Sequence, residues 1–458
     1  MRREVLRIER VSCGEQGVTQ LDGFCLSILS GEIIGLLPVN NHGLTAFLRL
    51  IQHNTPLRSG YVYYMDEQVN TWRGAKQRYN RIGLIQSEGC LVEGLTVADN
   101  IFVLRPGFKT WLLRPAVLRK QLAPFLESVN IYISADTYAE ELTAFEKVVV
   151  NVLKFVVAGC KLIVLRDISA SVSEADLEKI HRLLKHYARQ GLSFLYIDFH
   201  FEELCRVCDK TALMTNGRVV KILPNDNTAP GAFNDYIGAA RQYSPAPAEN
   251  SGRVAFRAKK ITGSLVKNLS FAVAAGECIA LQNADVQVIG EFLSFLNGES
   301  VPGSGCFYIG DKAASPRIGG DIAVIPELPT ETMLFKEMSY PDNLCFSLDR
   351  RMPEVWRDRR VREGVRREYA GLLGEDVFDK RIDALTEIQK YELIYTRVAI
   401  QNPKAVFCVQ PFRRADMELR AKIAALIKKL LDKGIAVVIL AVNLTDSLPL
   451  ADRLIRIE

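Results

Sequence analysis

The chain has 458 residues, of which 48% are hydrophobic and 24% charged, and its formal net charge is +5. That length exceeds what one hydrophobic core usually organises, so two or three domains are expected, and the composition excludes a largely disordered chain. A charge this mild on so long a chain does not by itself argue for nucleic acid.

The opening stretch "MRREVLRIER" is charged throughout, which argues against a signal peptide. Residues 18–36, "VTQLDGFCLSILSGEIIGL", read as an alternating strand, a Gly31-Glu32 turn and a short apolar strand. "PVNNHGLTAFLRLI" then enters an apolar helix through a loop of the phosphate-binding type, with Leu44 where such a loop carries its lysine. Further on, "VVVNVLKFVVAGCKLIVL" is the longest apolar stretch, and Lys154 and Lys161 interrupt it, so no membrane span is expected. "KLIVLRDISASVSEADLEKIHRLLKHYARQGLSFLYID" follows as buried strand, polar loop, amphipathic helix and second buried strand.

The same order then returns. "TGSLVKNLSFAVAAGECIAL" (262–281) repeats the pattern of residues 18–36, and "KAVFCVQPFRRADMELRAKIAALIKKLLDKGIAVVILAV" repeats the later strand–helix–strand. Alternating strands and helices imply parallel α/β sheets. Between the copies "RQYSPAPAENSGR" has no periodicity and reads as a linker. The expected organisation is a first domain over 1–240, a linker over 241–252 and a second domain over 253–458.

Ten cysteines are scattered without a framework, and Cys205 and Cys208 form a lone CxxC with no second ligand pair, so packing rather than metal is expected. His200-Phe-Glu-Glu203 is read as the acidic opening of a helix rather than a metal motif.

With Gly31-Glu32, "LTVADNI" (95–101), "ELTAFEKVVVNVLKFV" and "CDKTALMTNGRVV" in the first half, and "GECIAL", "PDNL", "LTEIQKYELIYTRVAI", "PFRRAD" and "LADRLIRI" in the second, the chain resembles a known family. It is similar, from about residue 5 to residue 457, to the tandem ATP-binding subunits of bacterial ABC importers for simple sugars of the ribose, galactose and xylose type. The resemblance implies an α/β fold of two tandem ABC-type, P-loop NTPase-like domains, each a mixed sheet flanked by helices with an inserted helical subdomain. It also implies ATP hydrolysis coupled to sugar import, composite sites shared between halves, a membrane permease as partner and a place at the inner face of the cell membrane.

The motif positions depart from that family. Pro38 to Thr45 keeps Gly43 and Thr45, but proline removes one backbone donor and Leu44 replaces the lysine. "LIVLRDIS" places Arg166 and Asp167 where the family has Asp-Glu, and a guanidinium cannot ligate a metal. Phe199 stands at the switch histidine, with His200 one place late, and Ser87 at the loop glutamine with Gln86 before it. The signature reads Leu142-Thr143-Ala144-Phe145-Glu146. In the second half Ile289 holds the basic position, Val409 and Gln410 replace Asp-Glu, the signature is Leu385-Thr386-Glu387-Ile388-Gln389, and the switch is Ala441-Val442-Asn443.

These departures imply a homologue that has lost its hydrolytic motifs, with a structural or regulatory role beside a permease or an intact ABC ATPase. The alternative is a working importer ATPase with slow or unusual chemistry. The degenerate positions Arg166, Asp167, Phe199, Val409 and Gln410 supply no confident catalytic residue. ATP becomes a doubtful ligand and Mg²⁺ has no expected site. A residual, metal-free anion site could still draw on Asn40, Gly43, Leu44, Thr45 and Arg166, whereas Leu44, Ile289 and Val409 read as an interior repacked around absent phosphate. Finally, "RRMPEVWRDRRVREGVRREY" (350–369) interleaves arginines with Glu354, Asp358, Glu363 and Glu368, which favours a solvated helix, then a partner contact, over nucleic acid.

Overall fold

Apolar–polar alternation along "EVLRIERVSCGE" and "VTQLDGFCLSIL" folds as two long antiparallel strands, β1 (Glu4–Glu15) and β2 (Val18–Leu29), which bury one face. In the computed structural model, which describes residues 3–15, 18–86, 91–104, 120, 123, 126–127, 131–225, 252–283, 286–314, 320–346, 359–442, 447 and 449–457, two compact units separate, Met1–Gly238 and Ala239–Glu458. The linker over 241–252 lies, apart from Gly252, outside the described residues.

In the first unit β3 (Ile33–Pro38) follows, then β4 (Ser59–Tyr64), β5 (Glu67–Thr71), β6 (Gly74–Ala75), β7 (Ile82–Gln86), β8 (Leu162–Arg166), β9 (Ser193–Ile197), β10 (Lys210–Thr215) and β11 (Arg218–Pro224). They form an antiparallel sheet in the order β2-β1-β4-β5-β6 and a mixed one in the order β11-β10-β3-β9-β8-β7, where only the β10–β11 pair is antiparallel. "IIGLLP", "LIVLR" and "SFLYI" are nearly continuous apolar runs because parallel strands are covered on both faces. Helix α1 (Leu44–His53) packs its apolar side into the core between the sheets, with Phe24 and Phe47 in contact at 4.9 Å between ring centroids. The remaining helices are α2 (Val97–Phe102), α3 (Ala144–Val157), α4 (Glu174–Arg189) and α5 (Phe201–Val207).

The second unit repeats the plan. Strands β12 (Val254–Thr262), β13 (Leu269–Ala274), β15 (Ser304–Ile309) and β16 (Lys312–Ala314) make an antiparallel sheet. Strands β14 (Cys278–Gln282), β17 (Ile322–Ile325), β18 (Ala405–Val409), β19 (Ala436–Ala441) and β20 (Arg453–Arg456) make a parallel one in the order β17-β18-β19-β14-β20. That order matches β7-β8-β9-β3-β10 of the first unit. Its helices are α6 (Val286–Asn297), α7 (Pro329–Thr332), α8 (Tyr340–Cys345), α9 (Arg359–Leu373), α10 (Glu387–Gln401) and α11 (Met417–Asp432). In each unit helices are inserted between the strand pair β7–β8 or β17–β18, as the α/β tandem expectation requires.

The repeat holds at the level of single hydrogen bonds. Glu32 accepts from the Leu29 N–H at 2.8 Å and Glu277 from the Ala274 N–H at 2.7 Å, closing the turn before each central strand. Asp209 and Asp452 each accept, at 2.9 Å, from the first N–H of that strand, on Ile33 and Cys278. Fully buried Asn100 and Asn343 accept from the N–H groups of Val92 (2.8 Å) and Phe335 (2.9 Å). Polar residues at the same places in both copies thus do the same local work, satisfying backbone groups that burial would otherwise leave unpaired.

Candidate functional site

In open α/β sheets ligands meet the loops at the carboxyl ends of the strands. In the first unit these loops follow β3, β8 and β9. Pro38 ends β3 beyond its last pair with β9, Leu36↔Ile197, so its missing N–H costs no ladder bond there. Gly43 caps α1 at φ 81°, and a Cβ on it would stand 2.3 Å from the Gln20 carbonyl oxygen. The loop is tied to neighbouring turns: Asn40 and Asn216 exchange two bonds, of 2.8 and 3.2 Å, and His42 Nε2 bonds the Thr19 carbonyl at 2.9 Å. Of the candidate anion ligands, then, Asn40 has its amide engaged and Leu44 is fully buried in the core, while Thr45 is exposed at the start of α1.

Arg166 ends β8 in register with Gln86 on one side and Ile197 on the other. Asp167 follows in the left-handed region at φ 54°, is 3% exposed, and donates its N–H to the Ile197 carbonyl at 2.9 Å. Ser87 and its loop lie outside the described residues. Phe199 is buried, and the polar work at the end of β9 falls to Asp198. That carboxylate is fully buried and accepts from Ser169 Oγ at 2.5 Å and from both the N–H and Nδ1 of His200 at 2.9 Å. One carboxylate therefore joins the loop after β8 to the loop after β9 and to the first turn of α5. Glu203 is spent elsewhere, on His181 Nε2 at 2.7 Å and Tyr196 Oη at 3.1 Å.

Burial alone would raise the Asp198 carboxyl, but the bonds from His200 and Ser169 hold it below its ordinary value. A carboxylate lowered in the folded state contributes stability that is complete above the unfolded value, near 4, and is lost as pH falls through the lower folded value. Asp198→Asn is accordingly expected to flatten the acid limb of stability. Urea midpoints measured from about pH 6 down to about pH 3 check this, and an unchanged slope would show that Asp198 does not contribute.

The signature stretches of the two units become helix starts. Thr143 accepts from the Glu146 N–H while Glu146 accepts from the Thr143 N–H, and Thr386 and Gln389 do the same. These capping boxes consume side chains that open α3 and α10. Phe145 lies under Lys179, 5.1 Å from ring centroid to Nζ.

In the second unit part of the corresponding loop, residues 284–285, is outside the described residues, as is Asn443. Ile289 and Val409 are 2% and 8% exposed and belong to one core cluster. Gln410 repeats the geometry of Asp167, at φ 42° with its N–H on the Leu440 carbonyl at 2.8 Å. Its side chain donates to Glu327 at 3.3 Å, and Glu327 also pairs with Arg413. Sequence reading passed over Glu327 and Arg413. The signal for Glu327 was its place just past the strand paired in register with β18, Ile325 opposite Cys408.

Burial pushes the Cys205 and Cys208 thiols up, and among the described residues no group of three or more His, Cys, Asp or Glu side chains could hold a metal. At the positions the resemblance gives to a phosphate-loop lysine, Leu44 and Ile289 are apolar and buried, and at those it gives to a metal-binding acid stand Arg166 and Val409.

No family model matches the chain. It aligns with a ribose import ATP-binding protein of Rubrobacter xylanophilus, 22% identical over 463 residues, covering 98% of this chain and 93% of that one. A putative ribose/galactose/methyl galactoside import ATP-binding protein of Geobacillus kaustophilus is 25% identical over 455 residues, 96% of this chain and 90% of the relative. An arabinose import ATP-binding protein of Burkholderia thailandensis is 24% identical over 470 residues, covering 99% and 89%. From end to end, the chain is similar to sugar-import ATP-binding proteins. The solved ATP-binding cassette MJ1267 of an ABC transporter matches 51% of this chain and 99% of its own at 19% identity, with a TM-score of 0.44. The α/β tandem read from the motifs is the fold this chain has, and the resemblance that suggested it extends over nearly its whole length.

Proposed function

We propose that this protein is a sugar-importer-type ABC ATP-binding subunit homologue that does not hydrolyse ATP and serves a structural or regulatory role in carbohydrate uptake. The observation that carries the reading is the burial of Leu44 and Ile289, 0% and 2% exposed, at the two positions where a phosphate loop presents its cation. A lysine there would supply charge-assisted bonds of roughly 1.5–3 kcal/mol each, and apolar side chains packed into the core supply none. Arg166 and Val409 at the metal positions support the same reading. So does the use of Thr143, Glu146, Thr386 and Gln389 in capping boxes.

The partner in this reading is a membrane permease subunit or an intact ABC ATPase. Exposed apolar pairs recur at one place in each unit: Val92 and Val103, 52% and 43% exposed, and Phe335 and Phe346, 39% and 48% exposed and 4.4 Å apart. Patches repeated with the fold are the surfaces such a partner would cover. In the segment 350–369, residues 350–358 with Trp356 lie outside the described residues, and Arg366 in α9 is taken by a two-bond pair with Asp379, at 3.0 and 2.8 Å. No helix among the described residues is long and apolar enough to cross a membrane, which suits attachment at the inner face through such a partner.

The rival reading, a slow ATPase, is favoured by one observation, the retained acid Asp167 at the end of β8. Calorimetry of the full chain with ATP, with and without Mg²⁺, together with a phosphate-release assay, separates them. The expected result is no heat at millimolar ATP and no turnover. Mg²⁺-dependent binding or measurable turnover would overturn the proposal, and binding indifferent to Mg²⁺ would assign a metal-free anion site to Gly43, Thr45 and Arg166.

A further inference from the structure

The β5–β6 hairpin and the loop after it, "NTWRGAKQRYNR" (70–81), carry Arg73, Lys76, Arg78 and Arg81, and no Asp or Glu occurs between Glu67 and Glu88. All four cations are exposed, and none has an ion-pair partner among the described residues. Trp72 and Tyr79 beside them are 50% and 67% exposed.

A firm base presents these groups. Asn54 and Asn80 are 5% and 7% exposed and bond each other at 3.1 and 3.0 Å. Asn80 also donates to the Ile51 carbonyl at 2.6 Å and accepts from Gln77 at 2.7 Å, while Asn54 holds the Gln77 carbonyl at 3.0 Å. The Lys76 N–H returns to the Val69 carbonyl at 2.8 Å. Cations without counterions, held outward on an ordered loop, keep a positive local field that an anionic surface would neutralise.

We propose that residues 72–81 are a docking surface for an anionic lipid bilayer, their cations meeting headgroup phosphates and Trp72 and Tyr79 seated at headgroup depth. The rings favour lipid over nucleic acid. The Arg73 guanidinium covers the Trp72 ring at 4.7 Å, and Tyr79 meets His53 edge-on at 5.4 Å. Stacking a base needs a bare aromatic face, whereas an amphipathic ring at a membrane interface does not.

The test is co-sedimentation of the full chain with phosphatidylcholine vesicles, with and without about one-third phosphatidylglycerol, and with a single-stranded oligonucleotide as competitor. Binding is expected only to the anionic vesicles, and raising salt to about 0.5 M should abolish it as the screening length shrinks. The double variant Arg73→Glu/Arg78→Glu should bind at least about tenfold more weakly, and Trp72→Ala about threefold, both with unchanged melting temperature because the residues are exposed. Equal binding to neutral vesicles, or undiminished binding of the double variant, overturns the proposal. Oligonucleotide binding that the same variant abolishes, with no vesicle binding, would reassign the surface to nucleic acid.

Discussion

Leu44→Lys is expected to lower stability by about 3–5 kcal/mol and to restore neither ATP binding nor hydrolysis. The change reinstates the residue type of a working phosphate loop, so intuition says it should repair the site. Burial says otherwise. Leu44 is fully buried in the hydrophobic cluster around α1, where an ammonium would lose its hydration. It is also the first residue of the helix, where the positive end of the helix dipole opposes a cation. Leu44→Met, which keeps the volume and adds no charge, should cost less than about 1.5 kcal/mol. Urea unfolding of both variants, with ATP calorimetry alongside, decides the matter. A Leu44→Lys protein as stable as the parent, or one that gains Mg²⁺-dependent ATP binding, would mean that the loop can reopen toward solvent.

Gly43→Ala and Gly217→Ala should each destabilise the first unit by about 2–6 kcal/mol, the sum of a strained backbone and an overpacked contact. Gly43 and Gly217 sit at φ 81° and 72°, and the Cβ of either would stand 2.3 or 2.0 Å from the same Gln20 carbonyl oxygen. Backbone, not a flexible side chain, meets the added methyl, so the hairpin β1–β2 or the turn between β10 and β11 must move. Gly23 is the control, because its φ is also positive, at 60°, but a Cβ there meets nothing within 4 Å. Gly23→Ala should therefore show only the backbone part of the penalty, about 1–2 kcal/mol. If thermal unfolding ranks Gly23→Ala as equal to the other two, the close approach to Gln20 is not what these glycines serve.

The tandem α/β plan was legible in the chain because strand and helix periods leave different marks. "LIVLR" and "AVFCV" announce covered parallel strands, and "VTQLDGFCLSIL" announces a half-covered one. The internal repeat was legible because Glu32 and Glu277 or Asn100 and Asn343 answer the same local backbone need. Reading the motif positions one by one also located the loops that gather at the strand ends.

What the chain could not announce is how side chains far apart in sequence share one atom. Asp198 carried no role in the motif pattern, yet it ties Ser169 to His200. Glu327 carried no motif, yet it holds Gln410 and Arg413 from 83 residues away in the case of Gln410. Asn40, a candidate ligand by position, gives its amide to Asn216. Secondary structure and its repetition follow from local periodicity and from backbone groups near each residue, so sequence alone determines them. Which polar groups face a ligand and which face each other depends on hydrogen bonds between strand-end loops, and only the tertiary fold, by bringing those loops within 3 Å or so, decides it.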